Sequence, residues 1–334
     1  MTPRHAYIFG GAIGDALLGI QLWRCLDAAH PGARLLVIST RKENSFVEGL
    51  FTTVPGIEFI ALPKESAGSW LRLMFLALTP HKVVYLEPFR NNTALWWRIM
   101  ARALALLPWS ARLVCSIRRK GRGVLHYSCV SDSLFDLPAR VVRGWGLPLS
   151  QVPIPRLDVH SKTLEPSIVF QFFAGSSRRS WPYEKAHPLL VQARALYPEL
   201  EFVLTCGPSE ETAARHLAED ITNTRTVAGA SALEVLELLS RARLRVGVAS
   251  GIMHMAAHLP LPSILLCNLS DPCWLPRFNP QALLLSAKEN CGCVGDKTGQ
   301  CSVQTSQGPV YRCLFDIPVE QVLDEMRKAL AKNK

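Results

Sequence analysis

The chain has 334 residues, of which 49% are hydrophobic and 19% are charged, and its formal net charge is +10 at pH 7. This length exceeds one ordinary hydrophobic core and predicts two domains. No uninterrupted apolar run reaches the roughly 18 residues that span a bilayer, which argues against an integral membrane protein.

The positive charge favours an anionic partner, either a phosphorylated small molecule or an anionic lipid surface. Nucleic acid is disfavoured, because the sequence contains no zinc-finger, ribonucleoprotein or helix-turn-helix pattern. The first residues lead straight into a predicted strand rather than into a secretory leader. We therefore expect a cytoplasmic protein that touches a membrane surface at most peripherally.

The N-terminal segment predicts a strand at Ala6–Phe9, a glycine-rich turn and a helix over residues 16–29. A dinucleotide fingerprint would need glycine at the position of Phe9, which disfavours an NAD-dependent oxidoreductase. Asp15 stands where the helix begins. It is predicted either to be the N-cap or to be a carboxylate that takes a proton from a substrate hydroxyl.

The alternation of strands and helices continues and predicts one parallel-sheet domain to about residue 155. Further strands are predicted at residues 34–38, 57–61, 83–86 and 111–117, and helices at 68–78, 94–107 and 131–145. A basic cluster at 118–122 follows the last of these strands. It is either a solvated loop or a site for a phosphorylated, membrane-borne acceptor.

A proline-containing linker is predicted over residues 151–166, after which the alternation restarts. The predicted strands are 167–172, 201–205, 225–227, a run beginning at 245, and 263–266; the predicted helices are 184–196, 232–240 and 319–331. The second domain is therefore expected to be another parallel sheet. We expect its last helix, Val319–Ala331, to pack back toward the first domain.

Two turns of this second domain carry candidate chemistry. The loop 173–182 combines small residues and hydroxyls with two arginines, which is typical either of a phosphate site or of a polar surface loop. The turn after the strand at 245 places Ser250, Gly251 and His254 at the carboxyl end of a strand, where ligands of parallel sheets bind. His254 and His258 are four residues apart, but Met255 stands where a zinc protease has glutamate, so a metal is disfavoured here.

Four of the ten cysteines cluster near the end of the chain, at Cys291, Cys293, Cys301 and Cys313. Their spacing differs from the paired C-x2-C of common zinc ribbons. They are either thiols in loops and core or ligands of a structural metal.

Four motifs in this order resemble glycosyltransferase family 9, the bacterial lipopolysaccharide heptosyltransferases. The motifs are G-x-x-G-D at 11–15, A-G-S-S-x-R-x-W-P at 174–182, G-P-x-E-E at 207–211 and G-x-x-S-G-x-x-H-x-A-A at 247–257. The resemblance implies an α/β protein of GT-B architecture, with two Rossmann-like parallel-sheet domains facing a cleft. It places the acceptor in residues 1–155 and the nucleotide sugar in residues 156–334.

The resemblance also implies roles for individual residues. Asp15 matches the catalytic base of inverting transfer. The expected donor-binding residues are Ser176, Ser177, Arg179, Glu210 or Glu211, Ser250, Gly251 and His254, with Arg179 standing where the family usually has lysine. The expected acceptor-binding residues are Gly11, Arg118, Arg119, Lys120 and Arg122. No metal or other cofactor is expected.

One residue departs from the family pattern, since Ala249 occupies the position of an aspartate in the last motif. A donor contact is therefore missing. The expected function is transfer of a heptose from ADP-heptose to an anionic glycolipid, the lipopolysaccharide inner core. The alternatives are the same fold with another nucleotide-sugar donor, or a non-catalytic protein that binds nucleotide sugars.

Overall fold

The computed structural model describes residues 5–10, 12–39, 45–62, 68, 82–86, 112–116, 124–126, 132–159, 163–268, 272–287 and 301–332. The chain divides into two compact units, Met1–Pro155 and Arg156–Lys334. Each unit contains a six-stranded sheet.

The first unit is a parallel α/β layer structure. Its strands are β1 (His5–Phe9), β2 (Leu35–Ser39), β3 (Ile57–Ala61), β4 (Lys82–Leu86), β5 (Arg112–Ser116) and β6 (Val124–His126). Its described helices are α1 (Ile13–Ala29), α2 (Ser45–Thr52) and α3 (Leu137–Gly144), with a 3-10 turn at Leu134–Asp136. The sheet order is β3-β2-β1-β4-β5-β6, and all neighbouring strands are parallel. This is the strand order of a Rossmann fold, which reverses between β1 and β4.

The five strands predicted for this unit are confirmed to within one residue at either end. Every residue of β1 and β2 is buried, as expected of parallel strands covered on both faces. Two elements were not predicted, namely α2 and β6. With three residues, β6 is too short for a periodicity to show. The helices predicted at 68–78 and 94–107 lie outside the described residues except for Gly68, which is helical.

The second unit repeats the arrangement. Its strands are β7 (Glu165–Gln171), β8 (Glu201–Cys206), β9 (Thr224–Ala228), β10 (Ala242–Val248), β11 (Ser263–Leu266), β12 (Ala282–Leu285), β13 (Ser302–Thr305) and β14 (Gly308–Tyr311). Its helices are α4 (Tyr183–Leu196), α5 (Glu211–Ala218), α6 (Ala232–Arg241), α7 (Gly251–Ala257), α8 (Arg312–Phe315) and α9 (Val319–Ala331). The parallel sheet has the order β12-β11-β10-β7-β8-β9, while β13 and β14 form an antiparallel hairpin.

The predicted linker is shorter than expected, because β7 already begins at Glu165. The final helix α9 packs against α4, β10 and β11 of its own unit; its packing toward the first unit stays a prediction. In the described part of the chain, no helix combines the length and the apolar content needed to cross a bilayer.

A buried arginine links the strand and the helices around the second sheet. Arg245 in β10 is fully buried. Its guanidinium donates to the main-chain oxygens of Leu261 at 2.7 Å, Ala256 at 3.3 Å and Leu239 at 3.4 Å, and to Ser263 Oγ at 3.0 Å. Burial lowers the pKa of Arg245 to about 9, so it stays protonated at neutral pH. The guanidinium thereby satisfies carbonyl groups in the last turns of α6 and α7, which a helix cannot satisfy itself.

Gly247 determines how closely β10 approaches β7. An ideal Cβ on Gly247 would lie 2.2 Å from the main-chain oxygen of Gln171. We expect Gly247→Ala to lower the free energy of unfolding by at least about 1–3 kcal/mol, because the backbone of one strand must move away from the other. Urea denaturation followed by circular dichroism measures this change.

Gly175→Ala is the matched control, because a Cβ there meets nothing within 4 Å. We expect that variant to stay within about 0.5 kcal/mol of the wild type. A Gly247→Ala protein as stable as the control would contradict the close strand contact.

Candidate functional site

The predicted donor residues gather at one edge of the second sheet. The loop 172–182 follows β7, the turn 207–210 follows β8, and the turn 249–250 follows β10. These three strands are neighbours in the order β10-β7-β8, and the strand order reverses between β10 and β7. Ligands of open parallel sheets bind at such a reversal, outside the carboxyl ends of the strands.

Hydrogen bonds within the loop 172–182 fix its shape. A 3-10 turn at Ser177–Arg179 is closed by the N–H of Arg179 donating to the Ser176 oxygen at 2.9 Å and by the N–H of Ser180 donating to the Ser177 oxygen at 3.0 Å. The hydroxyl of Ser180 accepts from the N–H of Ala174 at 3.0 Å and donates to the Ser176 oxygen at 3.4 Å. The loop is therefore braced across its middle.

Buried polar groups hold the start of the same loop. The side-chain amide of Gln171 donates to the main-chain oxygen of Phe173 at 2.7 Å, and the hydroxyl of Thr205 donates to Gln171 Oε1 at 2.5 Å. Both Gln171 and Thr205 are buried. At the other end, the indole N–H of the buried Trp181 donates to the Leu314 oxygen at 3.2 Å. The loop is thus fixed at both ends before any ligand binds.

This bracing leaves consecutive donors unused. Within the described part of the chain, no hydrogen bond involves the backbone N–H groups of Gly175, Ser176, Ser177 and Arg178. Gly175 and Ser177 are exposed, while the other two residues are partly buried. These unused donors after the carboxyl end of β7 are available to an anionic ligand.

Arg179 and His254 lie close enough to affect each other's charge. His254 is only 6% exposed, and its ring lies 5.9 Å from the ring of Trp274. Burial is the main cause that lowers the pKa of His254 to about 3, and the positive charges of His258 and Arg179 lower it further. The imidazole is therefore neutral at physiological pH, and Arg179 supplies the positive charge of this edge.

Trp274 was not singled out from the sequence. It ends a 3-10 turn at Pro272–Trp274, after β11, and is partly exposed. Its contact with His254 joins residues 20 positions apart, and no periodic pattern marks it. The only available signal was an aromatic residue shortly after a strand end.

Ser250 and Gly251 start α7. The hydroxyl oxygen of Ser250 accepts from the N–H of Met253 at 3.4 Å and so caps the helix. Since a hydroxyl also carries a hydrogen, Ser250 can still donate to a ligand. The N–H of Ala249 donates to the Leu266 oxygen at 3.0 Å. The methyl side chain of Ala249 offers no hydrogen bond at this position.

The side chains of the two adjacent glutamates after β8, Glu210 and Glu211, point in different directions. The carboxylate of Glu210 turns back over the preceding turn, because an ideal Cβ on Gly207 would lie 2.4 Å from Glu210 Oε2. Glu211 instead pairs with Arg215 at 2.7 Å on the exposed surface of α5. The structure therefore places Glu210, rather than Glu211, at the edge of the sheet.

Asp15 occupies the corresponding edge of the first sheet. The N-cap of α1 is Ala12, without a side-chain cap, so the N-cap interpretation of Asp15 is wrong. Asp15 lies in the first turn, its main-chain oxygen accepts from the Tyr7 hydroxyl at 2.9 Å, and its Oδ2 would lie 3.7 Å from a Cβ on Gly10. The carboxylate thus lies beside the residue that follows β1, and the positive end of the helix dipole favours its charge.

The remaining predicted residues are only partly described. Gly11, Arg118, Arg119, Lys120 and Arg122 lie outside the described residues. Of the cysteine cluster, Cys313 is buried and Cys301 is partly buried, whereas Cys291 and Cys293 are also outside that range. Among the residues with a described position, no three His, Cys, Asp or Glu side chains are placed to hold a metal ion.

The chain matches several solved structures over nearly its whole length. The chain matches E. coli ADP-heptose LPS heptosyltransferase II with a TM-score of 0.71 at 20% identity, covering 99% of both chains. It matches the glycosyltransferase family 9 protein of Veillonella parvula with a TM-score of 0.71 at 18% identity, covering 99% of this chain and 98% of that one. It matches E. coli heptosyltransferase WaaC with ADP with a TM-score of 0.69 at 14% identity, covering 98% and 99%.

At these identities the structural matches establish the fold, which is the GT-B fold of the heptosyltransferases. No curated protein sequence matches the chain. The family model described as glycosyltransferase family 9 (heptosyltransferase) matches residues 129–305, which is more than half of the 334 residues. The chain therefore belongs to glycosyltransferase family 9, the heptosyltransferase family.

Proposed function

We propose that the protein is an inverting transferase that moves a heptose from ADP-heptose to the lipopolysaccharide inner core. The observation that carries this proposal is the braced loop 172–182, which presents four unused N–H groups beside Arg179 in a member of this family. Two of the similar E. coli structures are ADP-heptose LPS heptosyltransferase II and heptosyltransferase WaaC with ADP. A nucleoside diphosphate linked to a sugar fits the loop's chemistry.

The donor diphosphate is assigned to the loop. The N–H groups at 175–178 donate to phosphate oxygens, and Arg179 supplies a fixed positive charge with a planar, two-pronged geometry. The hydroxyls of Ser176, Ser177 and Ser250 supply neutral donors. Glu210 is assigned to the ribose hydroxyls, since its carboxylate lies at the turn after β8.

This arrangement also stabilises the leaving group. When the bond between the anomeric carbon and the diphosphate oxygen breaks, negative charge grows on that oxygen. Preorganised N–H groups and Arg179 stabilise this charge more strongly than water does. The neutral His254 adds no positive charge of its own, although it lies near enough to Arg179 to feel its charge. Its ring lies 5.9 Å from the ring of Trp274.

Asp15 is assigned as the general base. It takes the proton of the acceptor hydroxyl while the oxygen of that hydroxyl forms the new bond to the anomeric carbon. Attack from the face opposite the leaving diphosphate inverts the anomeric configuration. A partly exposed carboxylate in the first turn of α1 suits this role, because it is accessible and its charged form is favoured.

The acceptor is assigned to the first unit and is an anionic glycolipid. The basic cluster Arg118, Arg119, Lys120 and Arg122, with Gly11, is proposed to contact it. The net charge of +10 supports peripheral attachment to an anionic inner-membrane surface from the cytoplasmic side. No nucleic-acid partner is proposed.

Ala249 supports a second candidate. The family motif has an aspartate at this position, whereas the methyl group here offers no hydrogen bond. If no other residue replaces that contact, the protein either uses a donor with another sugar or nucleotide or binds the donor without catalysis. The nucleotide preference of the protein distinguishes these cases.

Isothermal titration of the purified protein tests the donor. We expect ADP and ADP-heptose to bind more tightly than UDP or a UDP-sugar, because the similar E. coli structures include an ADP-heptose heptosyltransferase and a heptosyltransferase with ADP. NAD should not bind, because Phe9 stands where a dinucleotide fingerprint needs glycine. A preference for UDP ligands would retain glycosyl transfer but replace the donor. Binding of NAD alone would overturn the proposal.

Replacing Asp15 tests catalysis separately from binding. We expect Asp15→Asn to reduce transfer about 10²–10⁴-fold, because the amide cannot accept the proton. ADP binding should stay unchanged, since the donor is assigned to a loop of the second unit. Asp27→Asn on the same helix is the control, because among the described residues the Asp27 carboxylate accepts from the Gly32 N–H at 2.9 Å and lies more than three turns from Asp15. Equal loss of binding and transfer would contradict the assignment of Asp15.

The buried His254 predicts a pH dependence of stability. Its pKa is about 3 in the folded protein, against 6.5 for a free imidazole. The unfolded chain therefore binds more protons between these values, and stability falls as the pH decreases from about 6.5 toward 3, by up to about 1.4 kcal/mol per pH unit. We expect His254→Gln to lose this part of the slope in urea denaturation at several pH values. His30→Gln changes an exposed histidine and should retain the slope of the wild type. Identical slopes in the wild type and His254→Gln would refute the assignment of this pH dependence to His254.

A further inference from the structure

The β13–β14 hairpin docks on the start of α4, directly after the donor loop. Gln307 at the hairpin tip accepts from the N–H of Tyr183 through Oε1 at 3.1 Å. In return, Glu184 Oε1 accepts from the N–H of Ser306 at 2.9 Å. These two hydrogen bonds are reciprocal and join segments that are 124 and 122 residues apart in sequence. The hairpin is thus attached to the residues that follow the loop.

The hairpin also lies against the loop itself. Strand β14 packs on the 3-10 turn Ser177–Arg179. Gly308 begins this strand with a φ of +108°, and an ideal Cβ on it would lie 3.8 Å from Ser177 Oγ. Such a φ is readily adopted only by glycine. The turn of the hairpin is therefore shaped to bring its backbone next to Ser177.

These contacts occupy the start of α4, so that it is not available to bind an anion. The first N–H of α4, on Tyr183, is already used by Gln307, and the carboxylate of Glu184 lies in the same turn. Although burial acts to raise the pKa of Glu184, the hydrogen bonds from Ser306 lower it. A second anion at this helix start would meet a negative charge. The N–H groups of residues 175–178 in the loop are therefore the donors that an anion can use instead.

We propose that Gln307 is a positioning residue for the donor site: through Tyr183, which directly follows the loop 172–182, it holds that loop in the conformation that binds the diphosphate of a nucleotide sugar. Gln307 itself contacts no substrate. The loop is fixed from inside by Gln171 and Ser180, and the hairpin supplies the fixation from outside. This inference rests on the proposed function, because it assigns the diphosphate to that loop.

The mechanism predicts an effect on affinity. If the loop samples other conformations once Gln307 is replaced, only a fraction of the molecules keeps the binding-competent conformation. The apparent affinity for the nucleotide falls in proportion to that fraction. A typical hydrogen bond contributes enough free energy for about a three- to tenfold effect.

Isothermal titration with ADP, on the full chain, tests the proposal with four proteins. Gln307→Ala removes the acceptor, and we expect the Kd for ADP to rise about three- to tenfold. Gln307→Met keeps the length of the side chain but has no carbonyl acceptor, so it should lose affinity as Gln307→Ala does. Gln304→Ala is the matched control, because Gln304 is an exposed glutamine on β13 of the same hairpin. It should bind ADP as the wild type does.

The melting temperature of each unliganded protein separates positioning from general stability. We expect Gln307→Ala to bind ADP more weakly at a temperature where it remains folded. Equal or tighter binding by Gln307→Ala would overturn the inference, as would wild-type affinity in Gln307→Met, which lacks the acceptor oxygen. If the wild type binds no nucleoside diphosphate, the proposed function fails instead, and the two failures are distinguishable.

Discussion

The close contact between β7 and β10 is the constraint on which the proposed donor site depends. The strand order reverses between these two strands, so the loops that follow them leave the sheet at adjacent positions. Only glycine at position 247 permits the approach, since a side chain would collide with the backbone of Gln171. Gln171 in turn holds the start of the donor loop. One contact therefore sets both the spacing of the strands and the position of the loop.

Two buried or partly buried arginines of the second unit have different roles. Arg245 lies beside the first residue of β11, away from the carboxyl edge, and serves the structure, because its donors bind carbonyl groups of two helices and of the connection to β11. Arg179 is the loop arginine whose charge helps to keep His254 neutral. In the proposed donor site, braced N–H groups beside this guanidinium need little rearrangement when charge develops on a leaving group. The proposed chemistry follows from this division between structural and functional cations.

The hairpin connects a late segment of the chain to the same loop. It follows β12 in sequence, yet it packs on the turn Ser177–Arg179 and caps α4. In this arrangement the loop is held from the sheet side by Gln171 and Thr205 and from the outside by Gln307 and Gly308. A site held from both sides keeps its donors aligned without a ligand.

The sequence by itself determined the α/β class, ten of the fourteen described strands and the loops that carry candidate chemistry. It could do so because parallel strands are short apolar runs, and glycines with hydroxyl residues mark the turns between them. Tertiary structure decided which of two adjacent glutamates faces the edge, that Ala12 rather than Asp15 caps α1, and that Trp274 and Gln307 belong beside the loop. These outcomes depend on side-chain direction and on contacts between residues 20 to more than 100 positions apart, for which local periodicity carries no signal.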